Sequence, residues 1–299
     1  MLATWCQHRL GARPVETVFR AGHLSLVVGL RLADGQRVVV KVRPPAPRVH
    51  GCVAVQRALA AAGFPCPRPL AGPDALAGAL VTAEELVPGG EPLADGAEAA
   101  ARLAGLLAEL VAAAPPVAAV PSLRPAPPWV GWDHDEPRLW PAPDDLDEDL
   151  NDHPGPEWLD RAAVRVRARL AGLGLPSVVG HGDWESQNVR WRGGQAVAVH
   201  DWDSVVAQPE AAIAGQAAAV WPVAGPPGEA ASVEQTDRFL AAYERSRGRP
   251  WTGVEREVAW AAGLWVRAFN AKKETVAGGG PQLGRLAGEV AERSRNAGI

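Results

Sequence analysis

Residues 181–203 constrain this chain more than any other segment, because they place three oxygen-bearing side chains at fixed spacing on a short loop and a strand. The segment begins HGDWESQN and ends AVAVHDWD, with an Arg- and Gly-containing hairpin between. It offers a carboxylate at Asp183, an amide at Asn188 and a second carboxylate at Asp201. Phosphoryl transfer from a metal-bound nucleotide needs one carboxylate to receive a hydroxyl proton and two oxygen ligands for Mg²⁺. The segment therefore points to a phosphoryl-transfer site.

The pattern H-x-D-x-x-x-x-N, followed by an Asp at the end of a strand, resembles the catalytic and metal-binding loops of the kinase-like fold. Its written form, HGD with DWD in place of HRD with DFG, resembles the aminoglycoside phosphotransferase and choline kinase branch. The resemblance implies an α+β, two-lobed protein-kinase-like fold with a small β-rich N-terminal lobe and a larger, mainly helical C-terminal lobe. It also implies a small-molecule kinase that uses Mg²⁺ and takes ATP or GTP as co-substrate.

The resemblance gives each residue of the segment an expected role. Asp183 is the catalytic base that accepts the proton of the acceptor hydroxyl. His181 belongs to the catalytic set as a structural residue that orients the loop. Asn188, in both the catalytic and the metal set, supplies a neutral oxygen to Mg²⁺, and Asp201 supplies a charged one. Asp203 either binds the metal through water or caps the next turn, and the sequence does not choose between these roles.

A nucleotide site is expected in the first third of the chain. Lys41, in the strand VVVKV, is one of only three lysines, although arginine occurs 27 times. In the family this lysine contacts the α- and β-phosphates, a point-charge role that a guanidinium does not duplicate. The turn 21–25 is expected to cover the phosphates through Gly22 and Ser25. By position, the hinge backbone that contacts adenine belongs to Glu85, Leu86 and Val87.

One departure from the family pattern concerns the partner of Lys41. Kinase-like folds hold this lysine with a glutamate on the following helix, and here the matching position falls near Cys52. The sequence contains no acid between Lys41 and Asp74. Gln56 or His50 is a partial substitute at best, because neither carries a fixed negative charge. Either another group positions the lysine or its role is reduced.

The chain divides by pattern into two parts. Residues 1–87 alternate like strands, with a hairpin turn at residues 33–35 and one helix over 49–62, and form the expected nucleotide-binding lobe. The break at residues 88–90 (PGG) is the expected boundary, and residues 88–299 form the catalytic and substrate-binding lobe. Helices are predicted over 97–114 and 156–172, and capping boxes begin helices at Ser232 and Thr252. Residues 115–155 are predicted to be an irregular, acidic, Trp-rich insertion.

The acidic part of this insertion bears on the acceptor. Residues 133–160 hold eleven acids and one arginine, including Asp144, Asp145, Asp147, Glu148 and Asp149. In aminoglycoside kinases, acidic loops of the helical lobe receive ammonium groups, so the stretch favours a cationic acceptor. A solvated surface loop explains the same charges. Trp129, Trp132 and Trp140 either stack on a sugar ring or anchor the insertion, whereas Trp184 and Trp202 are expected to pack the catalytic loop.

Composition limits the remaining classes. The net charge is −4, and a dense basic stripe is absent from the sequence, so nucleic acid is not an expected partner. A leader segment and an 18-residue apolar run are also absent, so we expect no membrane association and a cytoplasmic location. The three cysteines, Cys6, Cys52 and Cys66, lack metal-ligand spacing, and a reducing compartment suits them. The sequence does not indicate an oligomeric state.

Three functions fit these observations. The first is a kinase for a hydroxyl group of a small, cationic acceptor, such as an aminoglycoside-like antibiotic or an amino alcohol. The second is a metabolite kinase of the choline, homoserine or sugar type, which uses the same chemistry. The third is a nucleotide-binding pseudokinase that regulates a partner. The missing helix glutamate favours the third function, and the complete set of Lys41, Asp183, Asn188 and Asp201 favours an enzyme.

Overall fold

The N-terminal part of the computed structural model is an antiparallel sheet with two helices; the structure describes residues 1–22, 24–94, 96–222 and 230–299. Helix α1 (Leu2–Leu10) precedes strands β1 (Pro14–Ala21), β2 (Leu26–Leu32) and β3 (Arg37–Arg43). Helix α2 (Arg48–Ala61) leads to β4 (Pro69–Leu76) and β5 (Ala79–Glu85). The strand order is β1-β2-β3-β5-β4. Strands β3 and β5 are therefore neighbours in the middle of the sheet.

The two faces of this sheet differ in chemistry because side chains alternate along each strand. Val38 and Val40 of β3 are fully buried in a small apolar core that also contains Trp5 and Cys6 of α1. The opposite face of the same strand carries Lys41 and Arg43, both buried. The face with Lys41 and Arg43 lies toward α2, whereas the apolar face forms the small core that stabilises the sheet.

The C-terminal part is mainly helical. It contains α3 (Ala97–Ala113), α4 (Glu157–Leu170), α5 (Glu210–Val220), α6 (Val233–Ser246), α7 (Gly253–Val276) and α8 (Pro281–Asn296). Two short antiparallel pairs lie among them. Strand β6 (Ser177–His181) pairs with β9 (Val205–Pro209), and β7 (Val189–Arg192) pairs with β8 (Gln195–Val199). Residues 181–203 run from the end of β6, through β7 and β8, to the turn before β9.

Helices α5 and α7 form the centre of the larger core. They approach so closely that a Cβ on Gly215 would lie 1.8 Å from the carbonyl oxygen of Ala259. The same core includes Cys52, Val55 and Leu59 of α2, so this helix packs against the helical part as well as the sheet. Of the helices in the described ranges, none is long and apolar enough to cross a membrane.

Most predicted elements agree with the structure. Helices α2, α3 and α4 lie within one or two residues of the predicted bounds, and Pro156 is the N-cap of α4. Both capping boxes are present, at Ser232 and Thr252. Residues 115–155, all described, contain only short 3₁₀ turns, as the prediction of an irregular insertion requires.

Three elements were not predicted. Helix α1 carries only a weak apolar pattern, and β9 follows the catalytic segment, where only helices were expected. Strand β4 contains Pro69 and Pro73, and no strand was predicted at these residues. A strand tolerates proline at the edge of a sheet, where the missing N–H needs no partner. β4 is such an edge strand.

Candidate active site

His181 ends β6 and fixes the start of the catalytic loop. Its Nδ1 accepts a hydrogen bond from the backbone N–H of Asp183 (3.2 Å), and its Nε2 lies 3.1 Å from the carbonyl oxygen of His200. The ring is fully buried, and burial lowers the pKa of His181, so the imidazole is neutral with its proton on Nε2. These contacts hold the backbone of Asp183 and leave no ring nitrogen for substrate.

Asp183 and Asn188 are joined across the loop. Asn188 Nδ2 donates to Asp183 Oδ2 (2.8 Å) and to the carbonyl oxygen of Asp183 (3.0 Å). Burial and the nearby charge of Asp201 raise the pKa of Asp183 to about 7, although the Asn188 hydrogen bond opposes the change. A carboxylate with a raised pKa is a better proton acceptor than an ordinary aspartate. Since its nitrogen is engaged, Asn188 offers its amide oxygen to a ligand.

Asp201 lies at a turn immediately after β8. Its backbone is left-handed (φ 59°), an uncommon conformation for a residue other than glycine. Ser204 Oγ donates to Asp201 Oδ2 (2.6 Å), and His200 N–H donates to the carbonyl oxygen of Asn188 (2.8 Å). These bonds bring the strand end to the catalytic loop and fix the orientation of the Asp201 carboxylate.

The charge around this loop fits a divalent cation. Asp183 and Asp201 are close enough that each charge opposes the other, and the Asn188 amide oxygen lies on the same loop. The part of the chain that the structure describes contains no cluster of three or more His, Cys, Asp or Glu residues able to hold a metal by themselves. Mg²⁺ takes few protein ligands and completes its shell with phosphate and water, so the small donor set is suitable.

Asp203 has partners on both the sheet and helix α2. Its carboxylate is paired with the guanidinium of Arg43 on β3, and its carbonyl oxygen accepts from Arg48 of α2. The prediction of a metal ligand or a turn cap did not anticipate this ion pair. The ion pair with Arg43 balances the charge of the Asp203 carboxylate. It also connects the turn that follows Asp201 to the sheet.

Lys41 has a carboxylate partner that the sequence interpretation missed. Its Nζ lies 3.3 Å from Glu84 Oε1, on the neighbouring strand β5. Burial lowers the pKa of Lys41, but the charges of Glu84 and Asp203 outweigh it, so the pKa is raised overall. Gln56 of α2 donates to Glu84 Oε2 (3.0 Å), whereas His50 is exposed. The sequence signal for this partner was Glu84, an acid in the apolar strand ALVTAEE. Its proximity to Lys41 follows only from the register of β3 and β5.

The predicted phosphate-covering turn lies at the mouth of a cleft. Gly22 has φ 130°, and a Cβ there would lie 1.8 Å from the carbonyl oxygen of Ser25, so only glycine fits this turn. Gly22 and Ser25 both line the cleft. His23, between them in the predicted turn, lies outside the described residues.

The predicted hinge is partly used by the sheet itself. Glu85 N–H donates to the carbonyl oxygen of Arg68 (3.0 Å), and Leu86 N–H donates to that of Arg37 (3.1 Å). Among the described residues, no backbone acceptor takes the N–H of Val87. Of the three predicted hinge amides, only that of Val87 is therefore open to a base.

The cleft itself has a volume of about 710 Å³ and is lined by both parts of the chain. Asp201 and Asp203 lie on its floor, and the N-terminal part contributes Gly22, Ser25 and the side chain of Arg48. The insertion supplies a largely apolar wall that contains Pro125, Ala126, Pro127, Pro128, Trp129, Pro141 and Ala142. This combination suits a ligand with both polar and apolar surface.

Only one of the five predicted acceptor-binding acids lines this cleft. Asp144 is on its wall, exposed to solvent. The other acids have side-chain partners or lie elsewhere: Asp145 pairs with Lys273, Glu148 contacts His153 (3.1 Å) and Asp149 pairs with Arg138 (2.8 Å), and Asp147 is exposed outside the cleft. For Asp145, Asp147, Glu148 and Asp149 the arrangement fits the alternative of a surface loop, and Asp144 alone of these five lies where it can meet an acceptor.

The tryptophans also have separate roles. Trp129 lines the cleft and donates from Nε1 to the carbonyl oxygen of Gly182 (3.0 Å). Trp132 and Trp140 are buried, and Trp140 stacks on Trp265 with ring centroids 5.5 Å apart, so both anchor the insertion. The expectation that Trp184 and Trp202 pack the loop is confirmed, since both are almost fully buried and donate to backbone carbonyls.

The fold resembles several solved kinases. A crystal structure of an amicoumacin kinase bound to AMP-PNP and Ca²⁺ matches with a TM-score of 0.66 and 13% identity, over 95% of this chain and 89% of that chain. An aminoglycoside phosphotransferase with ADP and hygromycin B matches with a TM-score of 0.63 and 12% identity, over 100% and 99%. A putative fructosamine-3-kinase from Thermobifida fusca matches with a TM-score of 0.53 and 19% identity, over 99% and 98%. At these identities the similarity establishes the two-lobed kinase-like fold.

A search of curated proteins finds no match. The sequence model described as "Phosphotransferase enzyme family" matches residues 16–251, which is most of the chain. The match includes strand β3 with Lys41, residues 85–87, the insertion at 115–155 and residues 181–203. This chain is therefore a member of the phosphotransferase enzyme family.

Proposed function

We propose that this protein transfers the γ-phosphate of a Mg²⁺-bound nucleotide to a hydroxyl group of a small, cationic acceptor. The observation that carries the proposal is the arrangement of Asp183 and Asn188 on one loop, to which a hydrogen bond from His200 N–H joins the turn that carries Asp201. The buried cation of Lys41, which interacts with the charge of Asp201, lies on the sheet nearby. These are the groups that phosphoryl transfer needs: a proton acceptor, metal ligands and a phosphate-binding cation.

Asp183 is the proposed catalytic base. The acceptor hydroxyl donates a hydrogen bond to its carboxylate and loses the proton to it as the oxygen attacks the γ-phosphate. His181 positions the loop backbone, and the Asn188 amide holds one carboxylate oxygen in place. The other carboxylate oxygen is left to receive the acceptor.

Asn188 and Asp201 are the proposed Mg²⁺ ligands, through the amide oxygen and the carboxylate. When bound, the metal ion neutralises charge on the β- and γ-phosphates and orients them. Ser204 restrains the Asp201 carboxylate by its hydrogen bond, so the ligand is oriented before the nucleotide arrives.

The nucleotide is proposed to bind between the sheet and this loop. Lys41 contacts its α- and β-phosphates, and the turn at Gly22 and Ser25 covers them with backbone N–H groups. The N–H of Val87 and the hinge carbonyls of Glu85 and Leu86 are proposed to contact the base. The proposed phosphate contacts are the same for ATP and GTP.

The acceptor is proposed to occupy the cleft of about 710 Å³. Asp144 receives an ammonium group, and the proline-rich wall with Trp129 packs against an apolar part of the molecule. Glu136, which accepts from the N–H of Ala142, also lines the cleft, so two acids lie beside the apolar wall and suit an acceptor with one or two amines. An amine-bearing alcohol with a hydrophobic portion is the class that these features favour.

The first test is a thermal-shift screen with Mg²⁺-ATP, Mg²⁺-GTP and a panel of amine-bearing alcohols, aminoglycosides, choline and sugars. Ligands that bind only the folded state raise the unfolding temperature by mass action. We expect a shift with a nucleotide that requires Mg²⁺, and a further shift with at least one amine-bearing alcohol. Absence of any nucleotide-dependent shift contradicts the proposed function.

Asp144→Asn is expected to raise the Michaelis constant for a cationic acceptor while leaving nucleotide affinity unchanged. The expected rise is about fivefold, since exposed ion pairs contribute up to about 1 kcal/mol. The effect should shrink as salt is added, because the Debye length falls to about 8 Å at physiological ionic strength. Initial rates at varied acceptor and salt concentrations measure both effects.

Asp147→Asn is the matched control, because it removes the same charge from an exposed site outside the cleft. The two variants have the same net charge, so a general electrostatic effect changes both equally. If Asp144→Asn and Asp147→Asn give the same Michaelis constant as the unmodified protein at low salt, Asp144 does not contact the acceptor.

A regulatory pseudokinase is less well supported than an enzyme. The sequence argument for it was the absence of a carboxylate partner for Lys41. Glu84 is such a partner, at 3.3 Å, so that argument no longer holds.

A further inference from the structure

The segment that follows the lysine strand lacks the acid that kinase-like folds use there. Helix α2 reads RVHGCVAVQRALAA and contains neither Asp nor Glu. The position expected for the glutamate is Cys52, whose side chain is 1% exposed and faces the carbonyl oxygen of Asp203. Burial raises the pKa of Cys52 to about 11, so its thiol carries no negative charge at neutral pH. Within α2, nothing balances the charge of Lys41.

The balancing carboxylate comes from the sheet. Lys41 of β3 lies opposite Thr82 of β5, and Glu84 is two residues further along β5. Residues two apart on a strand share a face, so Lys41 and Glu84 are diagonal neighbours on the polar face of the sheet. Their charged atoms are 3.3 Å apart. The pair depends on strand register alone.

The contacts hold the carboxylate on both sides. Glu84 Oε1 faces Lys41, and Glu84 Oε2 accepts from Gln56 Nε2 (3.0 Å). Gln56 Nε2 also donates to the carbonyl oxygen of Pro67 (2.8 Å), so both of its N–H groups are engaged. Lys41, Gln56 and Glu84 are 9%, 3% and 7% exposed. Because both oxygens of the Glu84 carboxylate have a partner, the buried ion pair is held in one geometry. Removal of Lys41 or Glu84 would leave the other charge buried without a partner.

We propose that Glu84 is the positioning residue for Lys41 and replaces the missing helix glutamate. The strand pair fixes the lysine within one sheet, so its position does not depend on where α2 lies. Gln56 connects α2 to the pair through an amide and contributes no charge. This inference rests on the proposed function, because it takes Lys41 to bind the nucleotide phosphates.

The test is a double-mutant cycle on Mg²⁺-nucleotide affinity with Glu84→Gln, Lys41→Ala and the double variant. Misplacing a binding group can cost about 100-fold, so we expect Glu84→Gln to weaken affinity by about tenfold to 100-fold. In the Lys41→Ala background the same change should cost almost nothing, because Glu84 then has no lysine to position. Equal losses in both backgrounds would show that Glu84 acts on the fold alone and would overturn the proposal.

A charge relocation distinguishes positioning from general stability. Glu84→Gln combined with Gln56→Glu exchanges the amide and the carboxylate, so the charge moves to α2 while both side-chain sizes are kept. We expect this exchange to restore at least part of the affinity lost in Glu84→Gln. Glu16→Gln is the matched control: Glu16 pairs with Arg31 (2.7 Å) across strands of the same sheet, but both are exposed, and affinity should not change.

These outcomes separate the inference from the proposed function. If Glu84→Gln does not fold, the exchange variant tests the proposal instead, because it keeps the original number of charges. A folded exchange variant that does not bind nucleotide would contradict the proposal. A protein that shows the Glu84–Lys41 coupling but transfers phosphate to no acceptor would refute the kinase function and leave the positioning role intact. A protein that transfers phosphate to an acceptor but whose nucleotide affinity does not change in Glu84→Gln would support the kinase function and refute the positioning role of Glu84.

Discussion

Asp183→Ala should reduce phosphoryl transfer by about 100- to 10,000-fold, the usual contribution of a positioned general base. Asp183 is the carboxylate that Asn188 orients and whose pKa burial and Asp201 raise to about 7. Mg²⁺-nucleotide affinity should fall far less than turnover, because the proposed base contacts the acceptor, and the nucleotide site loses only the hydrogen bond between Asp183 and Asn188. The turnover number and the nucleotide dissociation constant, measured on the same preparation, separate the two effects.

Asp183→Asn is the companion variant. It keeps the size of the side chain and removes the basic oxygen, so it tests proton acceptance without opening a space in the loop. We expect Asp183→Asn to lose as much turnover as Asp183→Ala. A turnover number near that of the unmodified protein in either variant would rule out Asp183 as the base.

Asp201→Ala should abolish the dependence of nucleotide binding on Mg²⁺. Asp201 is proposed to give the metal a full negative charge, and Ser204 holds its carboxylate in one orientation (2.6 Å). Loss of an outer-shell partner costs about 10- to 100-fold in metal affinity, and loss of a direct, charged ligand should cost more. Calorimetric titration of Mg²⁺-ATP and of ATP with a chelator measures the change.

Two comparison variants make this result specific. Asn188→Ala removes a neutral ligand and should weaken Mg²⁺-dependent binding less than Asp201→Ala. Asp203→Asn removes a carboxylate that is already paired with Arg43, and the loss should again be smaller. If Asp201→Ala binds Mg²⁺-ATP as tightly as the unmodified protein, the metal site lies elsewhere.

The placement of Asp183 and Asn188 on one loop was predictable because its geometry is local. Asp183 and Asn188 are five residues apart, and one side-chain amide closes the distance between them. The helix starts at Ser232 and Thr252 were predictable for the same reason, since a capping box joins residues only three positions apart. Family resemblance added the strand lysine and the fold, which the spacing of residues does not provide.

What the sequence did not reveal depends on contacts between distant residues. Glu84 reaches Lys41 only through the register of β3 and β5, which the sequence between the two residues does not specify. In the acidic run, the partner of Asp145 is Lys273, which lies far along the chain, and the nearby Arg138 and His153 are joined to Asp149 and Glu148 by contacts that their order in the sequence does not reveal. Composition records how many charges a segment has, whereas tertiary packing decides which of them are still free.

The most direct test of the central claim is transfer of the terminal phosphate from γ-labelled Mg²⁺-nucleotide to an amine-bearing alcohol that gives a thermal shift. We predict that label appears on a hydroxyl oxygen of the acceptor with the unmodified protein, and that Asp183→Asn, which still binds nucleotide, yields almost none. Label released only to water, or equal transfer by Asp183→Asn, would contradict the assignment of this chain as an acceptor-directed kinase with Asp183 as its base.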